Sequence, residues 1–303
     1  MTAVTAVVVT YNRVELLGEC LDSVLAQTTP PSRVIVVDNA STDDTTHLLA
    51  SRSDVDVVRM SVNTGGAGGF AAGIEQALSG ACDAIWLLDD DTIPESDCLA
   101  ELVRARDGYP GGPPAVVASR VVWTDGRDHP MNTPRTLPGA SRGALDAAAS
   151  VGARPIRSAS FVSILVDAYA ARRTGLPLAD YFLWNDDFEY TTRLIRGRSG
   201  IAVPSSIAVH KTQTFGASGT DPGERFYYEV RNKLWTFTRS TGLAPQEKAL
   251  YGVSTVNRWI RTFIDSPRRA VLWDGLRRGF RDGRHAPRPT DDVLADARTR
   301  TVS

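Results

Sequence analysis

Short apolar runs alternate with helical patterns through the first 122 residues, and this alternation constrains the fold more than any other feature of the chain. The apolar runs have the composition of buried strands, and they lie at residues 5–10, 33–38, 55–60, 84–88 and 115–122. The stretches between them have the periodicity of helices, near residues 14–27, 43–51, 69–79 and 96–106. Alternation at this spacing predicts a doubly wound, mostly parallel, Rossmann-like α/β sheet with right-handed connections.

The chain has 303 residues, which is enough for one large domain or for a domain with an appendage. We expect three regions, at residues 1–120, 121–223 and 224–303. A stretch rich in Gly, Pro and Ala at 108–157 predicts loops and irregular strands, and it is a candidate for a mobile lid. Beyond it we expect strands at 160–166 and 201–209 and an amphipathic helix at 186–196.

The last region differs in charge from the rest. Residues 1–224 hold 18 Lys and Arg against 27 Asp and Glu, whereas residues 225–290 hold 14 against 5. This asymmetry predicts an anionic partner for the basic part, but no recognised nucleic-acid module accompanies it, so nucleic acid is not the expected partner. Helices are expected at 225–239, 246–265 and 268–281, and the polar tail from Ala286 is expected to be disordered at its end.

Composition argues against several classes of protein. There is no run of about 18 apolar residues, so no membrane-spanning helix is expected. The N-terminus lacks a basic segment before its apolar run, so we interpret it as a first strand and not as a signal peptide. Cys20, Cys82 and Cys98 have unrelated spacings, which predict neither a disulfide framework nor a metal knuckle. These features are typical of a protein of the reducing cytoplasm.

Three consecutive aspartates, Asp89, Asp90 and Asp91, follow the fourth apolar run. Ligands usually bind at the carboxyl ends of the strands in an open α/β sheet. Because side chains alternate along a strand, we expect Asp89 and Asp91 to point one way and Asp90 the other. Two carboxylates on one side suit a hard divalent ion that takes further ligands from a diphosphate. The alternative interpretation is a solvated acidic turn.

Polar residues also follow the first two apolar runs, at 10–13 and 38–41. The carboxylate of Asp38 could accept the imide N–H of a uracil or thymine ring, while Tyr11 could stack on the base and Arg13 could reach a phosphate. The alternative is that Asp38 and Asn39 form an Asx-turn.

A glycine-rich segment that begins at Asn63 follows the third apolar run and opens a helix. Glycines such as Gly65 and Gly66 let the backbone approach a ligand, and a helix N-terminus favours an anion. The segment follows the third strand and not the first, so it does not predict an NAD site.

A second acidic cluster contains Trp184, Asp186, Asp187 and Glu189. Carboxylates beside an aromatic residue suit an acceptor site, where one carboxylate acts as general base toward a hydroxyl and the Trp packs on a sugar ring. The alternative is the acidic first turn of a helix, which the helix dipole favours.

His210 follows the apolar run at 201–209. It could complete a metal site with Asp89 and Asp91, and this mixed set of nitrogen and oxygen ligands suits Mn²⁺ or Mg²⁺. The alternative is a structural histidine.

Taken in order, these motifs resemble family 2 glycosyltransferases, which have the GT-A fold and invert the anomeric centre of the transferred sugar. The resemblance spans residues 4–215 and rests on residues 10–13, 38–41, 63–70, 89–91, 185–189 and 210. It implies a nucleotide-sugar donor and a divalent metal, Mn²⁺ or Mg²⁺.

The resemblance also implies a role for each motif. Asp187 would be the catalytic base, and Asp89, Asp91 and His210 would hold the metal. The residues implied for donor binding are Thr10, Tyr11, Arg13, Asp38, Asn63, Gly65, Gly66 and Asp90. The residues implied for acceptor binding are Trp184, Asp186 and Glu189.

Within this family, the glycine-rich segment, the aspartate triplet and the second acidic cluster are most similar to the galactofuranosyltransferases of the actinobacterial cell wall, in particular to those that initiate the galactan. This implies transfer of galactofuranose from UDP-galactofuranose to a polyprenyl-diphosphate-linked rhamnosyl-GlcNAc acceptor. Rhamnosyltransferases that use dTDP-rhamnose on the same carrier share most of the motifs, so the donor stays open. Asn185 replaces an acid often found beside the base. An alternative of another class is a non-catalytic sugar-nucleotide or membrane-binding module.

A lipid-linked acceptor gives the basic, aromatic C-terminal region a role. Its arginines and aromatic residues are typical of helices at an anionic membrane surface, which predicts peripheral association with the inner face of the plasma membrane. The aromatic residues concerned are Trp235, Phe237, Trp259, Phe263, Trp273 and Phe280. The alternative is that they pack on the catalytic domain or on a second subunit of an oligomer.

Overall fold

A single mixed sheet runs through the computed structural model, which describes residues 2–215 and 221–299. Its strands are β1 (Val4–Thr10), β2 (Arg33–Asp38), β3 (Asp56–Arg59), β4 (Ala84–Asp89), β5 (Thr92–Pro94), β6 (Val116–Val122), β7 (Arg135–Thr136), β8 (Arg154–Ser158), β9 (Ile164–Asp167) and β10 (Gly200–His210). Their order is β3-β2-β1-β4-β9-β6-β10-β8-β7, with β5 paired to β10.

The helices of the described residues lie between and after these strands. They are α1 (Val14–Leu25), α2 (Thr45–Ala50), α3 (Gly65–Leu78), α4 (Cys98–Asp107), α5 (Arg142–Ala149), α6 (Ala168–Thr174), α7 (Asp186–Ile195), α8 (Phe226–Thr238), α9 (Pro245–Asp265), α10 (Arg269–Gly283) and α11 (Thr290–Thr299). Within the described ranges, none of these helices is long and apolar enough to cross a membrane.

The first half of the sheet is parallel, as predicted. Strand β1 pairs in parallel with β2 and with β4, and β2 pairs in parallel with β3. The inner strand β9 is antiparallel to both of its neighbours, β4 and β6. The predicted mostly parallel α/β fold with a helical C-terminal region is therefore confirmed, with this antiparallel insertion as an addition.

The sheet has a hydrophobic core on each face, because side chains alternate along every strand. On β1, Val7 and Val9 belong to the core that includes residues of α3, while Ala6 and Val8 belong to the core that includes residues of α1. Both faces of β1 are fully covered, so its whole length from Val4 to Thr10 is buried. Only the ends of such strands are left to contribute polar side chains to a site.

The stretch at 108–157 is more regular than predicted. It contains β6, β7, α5 and most of β8. Helix α5 is short and Ala-rich, and it is capped by Ser141, whose hydroxyl accepts a hydrogen bond from the Ala144 amide at 3.2 Å. Because α5 buries only Ala148, its sequence carried no apolar periodicity to predict a helix.

The C-terminal tail is also more ordered than predicted. After Ala286 the chain forms α11, which buries Leu294 and Ala297 in the core beside α3. The carbonyl of Ala297 accepts a hydrogen bond from the Ser61 amide at 2.9 Å. The expectation of disorder at the very end concerns residues 300–303, which lie outside the described residues.

The aromatic residues of the C-terminal region differ in how deeply they are buried. Trp235 is buried and packs against Tyr181, with ring centroids 5.5 Å apart, so it belongs to the protein core and the prediction that it faces a membrane is wrong. Trp259 and Phe263 pack partly buried against Phe226, joining α9 to α8. Trp273 and Phe280, together with several aliphatic residues of α9, are exposed.

Candidate functional site

The ends of three parallel strands place the predicted site residues at one edge of the sheet. In the strand register Thr10 lies beside Asp38, and Val9 lies beside Asp89. The aspartate triplet therefore follows β4 directly next to the polar ends of β1 and β2. This is the edge where open α/β sheets usually bind ligands.

Asp90 directs its carboxylate toward the end of β1. The carboxylate accepts hydrogen bonds from the Thr10 hydroxyl at 2.8 Å and from the Tyr11 amide at 3.3 Å. The hydroxyl of Thr10 thereby donates its proton to Asp90, and its oxygen can still accept a hydrogen bond. These two bonds give Asp90 a structural task, because they fix the start of the loop after β1.

Asp89 and Asp91 converge with His210, which ends β10. One ligand atom from each of the three residues lies within 4.8 Å of the others. The pairing of β5 with β10 brings His210 to this place, because Thr92 directly follows the triplet and pairs with His210. Two carboxylates and one imidazole form the mixed oxygen and nitrogen set expected from the sequence.

These side chains fit a divalent cation. A nearby amide oxygen of Asn132 lies 2.9 Å from Nδ1 of His210, and the amide nitrogen of the same residue donates to the Ser160 hydroxyl at 3.0 Å. Since an amide oxygen only accepts, Nδ1 of His210 carries a proton and Nε2 is left to face the carboxylates. Nε2 lies 2.9 Å from Oδ1 of Asp91, which is close enough for an ion pair when the imidazole is protonated, and this buried oxygen contacts no other hydrogen-bond donor among the described residues. When the imidazole is neutral, Nε2 and the carboxylate oxygens are electron-pair donors that could be ligands of a shared cation such as Mn²⁺ or Mg²⁺.

Burial governs the protonation of the triplet. Burial and the charge of Asp91 raise the pKa of Asp89 to about 7, and burial also raises the pKa of Asp90 to about 6. Burial acts on Asp91 too, but contact with His210 and Arg13 outweighs it and lowers the pKa of that carboxyl. Burial lowers the pKa of His210, but the hydrogen bond to Asp91 and the charges of Asp91 and Asp89 outweigh it, so the pKa is raised.

Arg13 turns toward the triplet. One guanidinium nitrogen lies 3.0 Å from Oδ1 of Asp90 and 2.5 Å from Oδ2 of Asp91. The side chain of Arg13 is still 48% exposed, and its role in reaching a phosphate stays a prediction. Arg13 reduces the repulsion within the triplet.

The side chain of Asp38 closes the loop after β2 by a bond to the amide three residues on, which is not the Asx-turn of the alternative interpretation. Oδ1 of this buried residue accepts a hydrogen bond from the Ser41 amide at 2.9 Å. Tyr11, on the neighbouring loop, is 42% exposed and leaves an aromatic face open to a ligand. The roles of Asp38 and Tyr11 in holding a base stay predictions.

The glycine-rich segment packs closely against protein at the start of α3. Gly65 has a φ of +68°, and a Cβ at this residue would lie 2.0 Å from the carbonyl oxygen of Phe182. The same carbonyl accepts a hydrogen bond from the Ala67 amide, and Oδ1 of Asn63 accepts from the Gly65 amide at 2.7 Å. These contacts occupy the amides of Gly65 and Ala67, and the role of the segment in donor binding stays a prediction. Among Gly65, Gly66, Gly68 and Gly69, only Gly66 has open space at the position of a Cβ.

The segment before α7 has an unusual backbone. Phe182, Trp184 and Asn185 all have positive φ angles, between 61° and 66°. Non-glycine residues adopt this region only when their surroundings hold them there, and such residues cluster at functional sites. The buried amide of Asn232 donates to the carbonyls of residues 181, 183 and 184 at 2.8–2.9 Å. Helix α8 thus fixes the entry into the second acidic cluster.

Asp186 and Asp187 begin α7 at the end of this segment. Burial raises the pKa of both carboxyls. The charge of Asp89 contributes to the rise at Asp186, so the two acidic clusters adjoin. Asp187 is partly exposed, and the charges of Lys233 and Arg135 oppose the rise of its pKa.

Glu189 is a structural residue, so its predicted role in acceptor binding is wrong. It is buried, and its two carboxylate oxygens lie 2.9 and 3.0 Å from the guanidinium of Arg193. The Ser240 hydroxyl donates to the same carboxylate at 2.7 Å. With both oxygens occupied, the side chain cannot bind a sugar. The four-residue spacing between Glu189 and Arg193 on a helix is a signal that could have indicated this pair.

A cavity of about 340 Å³ opens beside Trp184, and we call it the acceptor pocket. It is lined by Met131, Trp184, Asp221, Pro222, Arg225, Phe226, Glu229, Arg258, Trp259 and Thr262. In its wall, Glu229 accepts hydrogen bonds from Asn185 at 2.9 Å and from the indole of Trp259 at 3.2 Å, and it also contacts Arg258. Aromatic faces beside planar charged groups are suited to binding sugars.

Sequence reasoning missed several residues of this site. Asn132 holds His210, Asn232 holds the strained segment, and Lys233 lies beside Asp187. Burial lowers the pKa of Lys233 to about 8, and its ammonium lies 4.5 Å from the centre of the Phe188 ring. These residues are distant in sequence from the groups they contact, and no local pattern indicates them.

Comparison with known proteins gives one family. The model described as Glycosyl transferase family 2 matches residues 5–155. The galactofuranosyltransferase GlfT1 of Mycolicibacterium smegmatis is 45% identical over 92 residues, which are 30% of each chain. GlfT1 of Mycobacterium tuberculosis is 40% identical over 111 residues, which are 35% of this chain and 36% of that protein. The match thus spans about a third of the length of these relatives.

Solved structures share the fold over most of the chain. TarS 1–349 of S. aureus in complex with UDP-GlcNAc superposes with a TM-score of 0.63 at 17% identity, covering 96% of this chain and 83% of that one. The mannosyltransferase PcManGT of Pyrobaculum calidifontis in complex with GDP-Man and Mn²⁺ gives a TM-score of 0.56 at 18% identity, covering 97% and 79%. At these identities the likeness concerns the fold.

Proposed function

The chain belongs to glycosyl transferase family 2 and has the GT-A fold, and from this premise we propose that it transfers a sugar from a nucleotide diphosphate to an acceptor hydroxyl with inversion at the anomeric carbon. The observation that carries the proposal is the convergence of Asp89, Asp91 and His210 at the sheet edge, next to the acidic start of α7. A metal-binding group and a candidate base at adjoining positions are the two parts that an inverting transfer requires.

The donor side of the reaction rests on the ends of β1, β2 and β4. Asp89, Asp91 and His210 would hold Mn²⁺ or Mg²⁺, which when bound neutralises a diphosphate and stabilises the leaving group. Tyr11 offers its exposed ring to the base. Asp38 and Thr10 lie side by side in the strand register, where the polar edge of a uracil would meet them.

On the acceptor side, Asp187 would take the proton of the acceptor hydroxyl as that oxygen attacks the anomeric carbon. Attack from the face opposite the leaving group inverts the configuration without a covalent enzyme intermediate. Burial raises the pKa of Asp187, which makes the carboxylate a stronger base. The positive charges of Lys233 and Arg135 oppose this rise and favour the ionised carboxylate.

We further propose galactofuranose from UDP-galactofuranose as the transferred group and a polyprenyl-diphosphate-linked rhamnosyl-GlcNAc as the acceptor. The partial similarity to the two GlfT1 proteins supports this choice of sugar. Trp184 and Asp186 would contact the acceptor sugar. Action on a lipid-linked acceptor implies peripheral association with the inner face of the membrane, and the exposed apolar residues of α9 and α10 with their flanking arginines support it.

A donor panel tests the proposal. UDP, UDP-galactofuranose, UDP-galactopyranose and dTDP-rhamnose are titrated by calorimetry into the protein with Mn²⁺, and then into Asp91→Ala and, as a matched control, into the exposed Asp146→Ala. We expect the uridine compounds to bind in a metal-dependent way that Asp91→Ala weakens and Asp146→Ala leaves unchanged. Preference for dTDP-rhamnose would replace the proposed donor, and binding of no donor would contradict transferase activity.

The base is tested by turnover. With a synthetic rhamnosyl-GlcNAc acceptor, Asp187→Asn should lose at least about a hundredfold in kcat while it still binds UDP, because general base catalysis contributes factors of about 10²–10⁴. Full turnover in this variant would show that another group removes the proton.

A further inference from the structure

An apolar groove between α9 and α10 opens on the protein surface beside the acceptor pocket. The α9–α10 groove encloses about 600 Å³ and is lined mainly by Val256, Ile260, Phe263, Ile264, Trp273 and Phe280. Five of these six side chains are between 39% and 64% exposed. A contiguous apolar surface that is exposed in this way indicates a binding site.

The groove and the acceptor pocket share a wall. Trp259 lines both cavities, and its indole nitrogen donates to Glu229 on the pocket side. The other oxygen of Glu229 accepts from Asn185, which directly precedes the acidic start of α7. A molecule that lies in both cavities would therefore have one end near Asp187 and the other between α9 and α10.

The lining residues change from polar to apolar between the acceptor pocket and the α9–α10 groove. The pocket side carries two tryptophans, two carboxylates and two arginines, whereas the groove side is almost entirely apolar. Arg258 is bound to Glu229, and Asp221 accepts from Ser266 and Arg268. Arg225 lines the pocket side and has no ion pair within residues 2–215 and 221–299, so its guanidinium is available to a phosphate there.

We propose that the α9–α10 groove holds the prenyl chain of an amphiphilic acceptor whose phosphate lies against Arg225 and whose sugar lies in the acceptor pocket. This proposal rests on the proposed function. It assigns the prenyl chain of the acceptor to α9 and α10, which lie outside the GT-A sheet. The groove is lined by apolar side chains from two helices, which fit a flexible chain. A bilayer needs only an exposed apolar face, whereas a groove that shares Trp259 with the acceptor pocket suits a chain that is bound together with its sugar.

Direct binding of a prenyl diphosphate tests the proposal in the full chain. Geranylgeranyl diphosphate and inorganic diphosphate are titrated by calorimetry, below the concentration at which the lipid forms micelles. We expect the prenyl compound to bind at least about tenfold more tightly, since burying an apolar chain adds free energy in proportion to its area. Arg225→Gln should weaken binding of both compounds.

Two variants on the same helix supply the matched comparison. Ile260 lies in the groove and is 53% exposed, whereas Val253 is 64% exposed on α9 but outside the groove. Ile260→Asp should abolish the advantage of the prenyl compound over inorganic diphosphate, and Val253→Asp should retain it. Circular dichroism of both variants verifies that these surface changes leave the fold intact.

Three results would overturn the proposal. Equal affinity of the wild type for the two diphosphates would show that no chain is bound. If both variants lose binding to vesicles of anionic and neutral phospholipid while their affinity for geranylgeranyl diphosphate is unchanged, the surface docks on a bilayer. If wild-type dimers in sedimentation equilibrium dissociate in Ile260→Asp with the prenyl affinity unchanged, the groove binds a second copy. Binding of UDP-galactofuranose to the same samples reports separately on the proposed function, so its failure is distinguishable from failure of the groove.

Discussion

At the scale of single residues, the site depends on side chains that orient the predicted ligands. His210 presents Nε2 to the carboxylates because Asn132 accepts at its Nδ1, and Asn132 is itself fixed by Ser160. His129 packs against the same imidazole, with ring centroids 5.0 Å apart. Partners of this kind fix the tautomer and the direction of a ligating histidine.

The first prediction concerns Asn132. Asn132→Ala should weaken Mn²⁺ binding by about 10- to 100-fold, because the ring of His210 loses the acceptor that holds its tautomer. Asn132→Asp keeps an oxygen at the same place and should restore most of the affinity. Electron paramagnetic resonance of free Mn²⁺ measures both, with the exposed Asn257→Ala as control. Unchanged affinity in Asn132→Ala would mean that His129 packing alone orients the ring.

The position of the aspartate triplet was predictable from sequence, whereas the contact of Asn132 with His210 was not, for a physical reason. The triplet is local, because an apolar run gives the strand and the alternation of side chains gives the direction of each carboxylate. Asn132 lies 78 residues from His210, in a stretch without apolar periodicity. The contact of Arg13 with Asp90 and Asp91 was not predictable from sequence either, since only the fold brings these side chains together.

At the scale of elements, α8 holds the segment before α7 in place. The three positive φ angles before α7 are stabilised by Asn232, whose amide reaches three carbonyls of the segment. Arg231 adds hydrogen bonds to the carbonyls of residues 180 and 181 at 2.7 and 3.0 Å. The position of Asp187 therefore depends on a helix that the matched family segment, residues 5–155, does not include.

The second prediction follows from this arrangement. Asn232→Leu keeps the approximate volume but removes the donor from buried carbonyls, so the free energy of unfolding should fall by at least about 2 kcal/mol. The freed segment would also move Asp187, so kcat should fall more than the affinity for UDP. Guanidinium unfolding and steady-state kinetics measure the two effects. The same substitution at the exposed Asn257 is the control, and equal stability of the two variants would contradict the role given to Asn232.

Elements that bury a periodic apolar face were predictable, and the others were not. The strands β1, β2 and β4 are continuous apolar runs and were identified within one residue at each end. Helix α11 was missed because its composition is polar and only Leu294 and Ala297 are buried. Its start does carry a signal, since Thr290 precedes two acidic residues in the first turn.

At the scale of the whole molecule, apolar cores on both faces of the sheet support an acidic edge. Burial raises the pKa of Asp89, Asp90, Asp186 and Asp187, so the ionised form of each is disfavoured by the fold. The mixed topology that creates this edge was only partly predictable. The apolar run ending at residue 166 indicated a strand, but its antiparallel place between β4 and β6 depends on pairing that no single segment encodes.

The third prediction is that the metal-free protein becomes more stable when an acid of this edge is neutralised. The pKa of Asp89 is about 7 in the folded chain, against about 3.9 for an unfolded aspartate. The folded state therefore binds more protons between these pH values, and stability falls as the pH rises from about 4 to about 7. Asp89→Asn removes this loss, so its melting temperature in EDTA should exceed that of the wild type by a few degrees at pH 7.5 and by much less at pH 4.5.

Mn²⁺ should reverse the order of the melting temperatures of the wild type and Asp89→Asn at pH 7.5. A cation that binds only the folded state raises the melting temperature of the wild type in proportion to its occupancy, whereas Asp89→Asn lacks one ligand and should gain little. Differential scanning fluorimetry in EDTA and in Mn²⁺ measures this crossing, and the exposed Asp146→Asn should follow the wild type in both. A lower melting temperature of Asp89→Asn in EDTA at pH 7.5 would mean that the Asp89 carboxylate is stabilised by the protein alone. The acidic edge would then not depend on a metal for its charge balance.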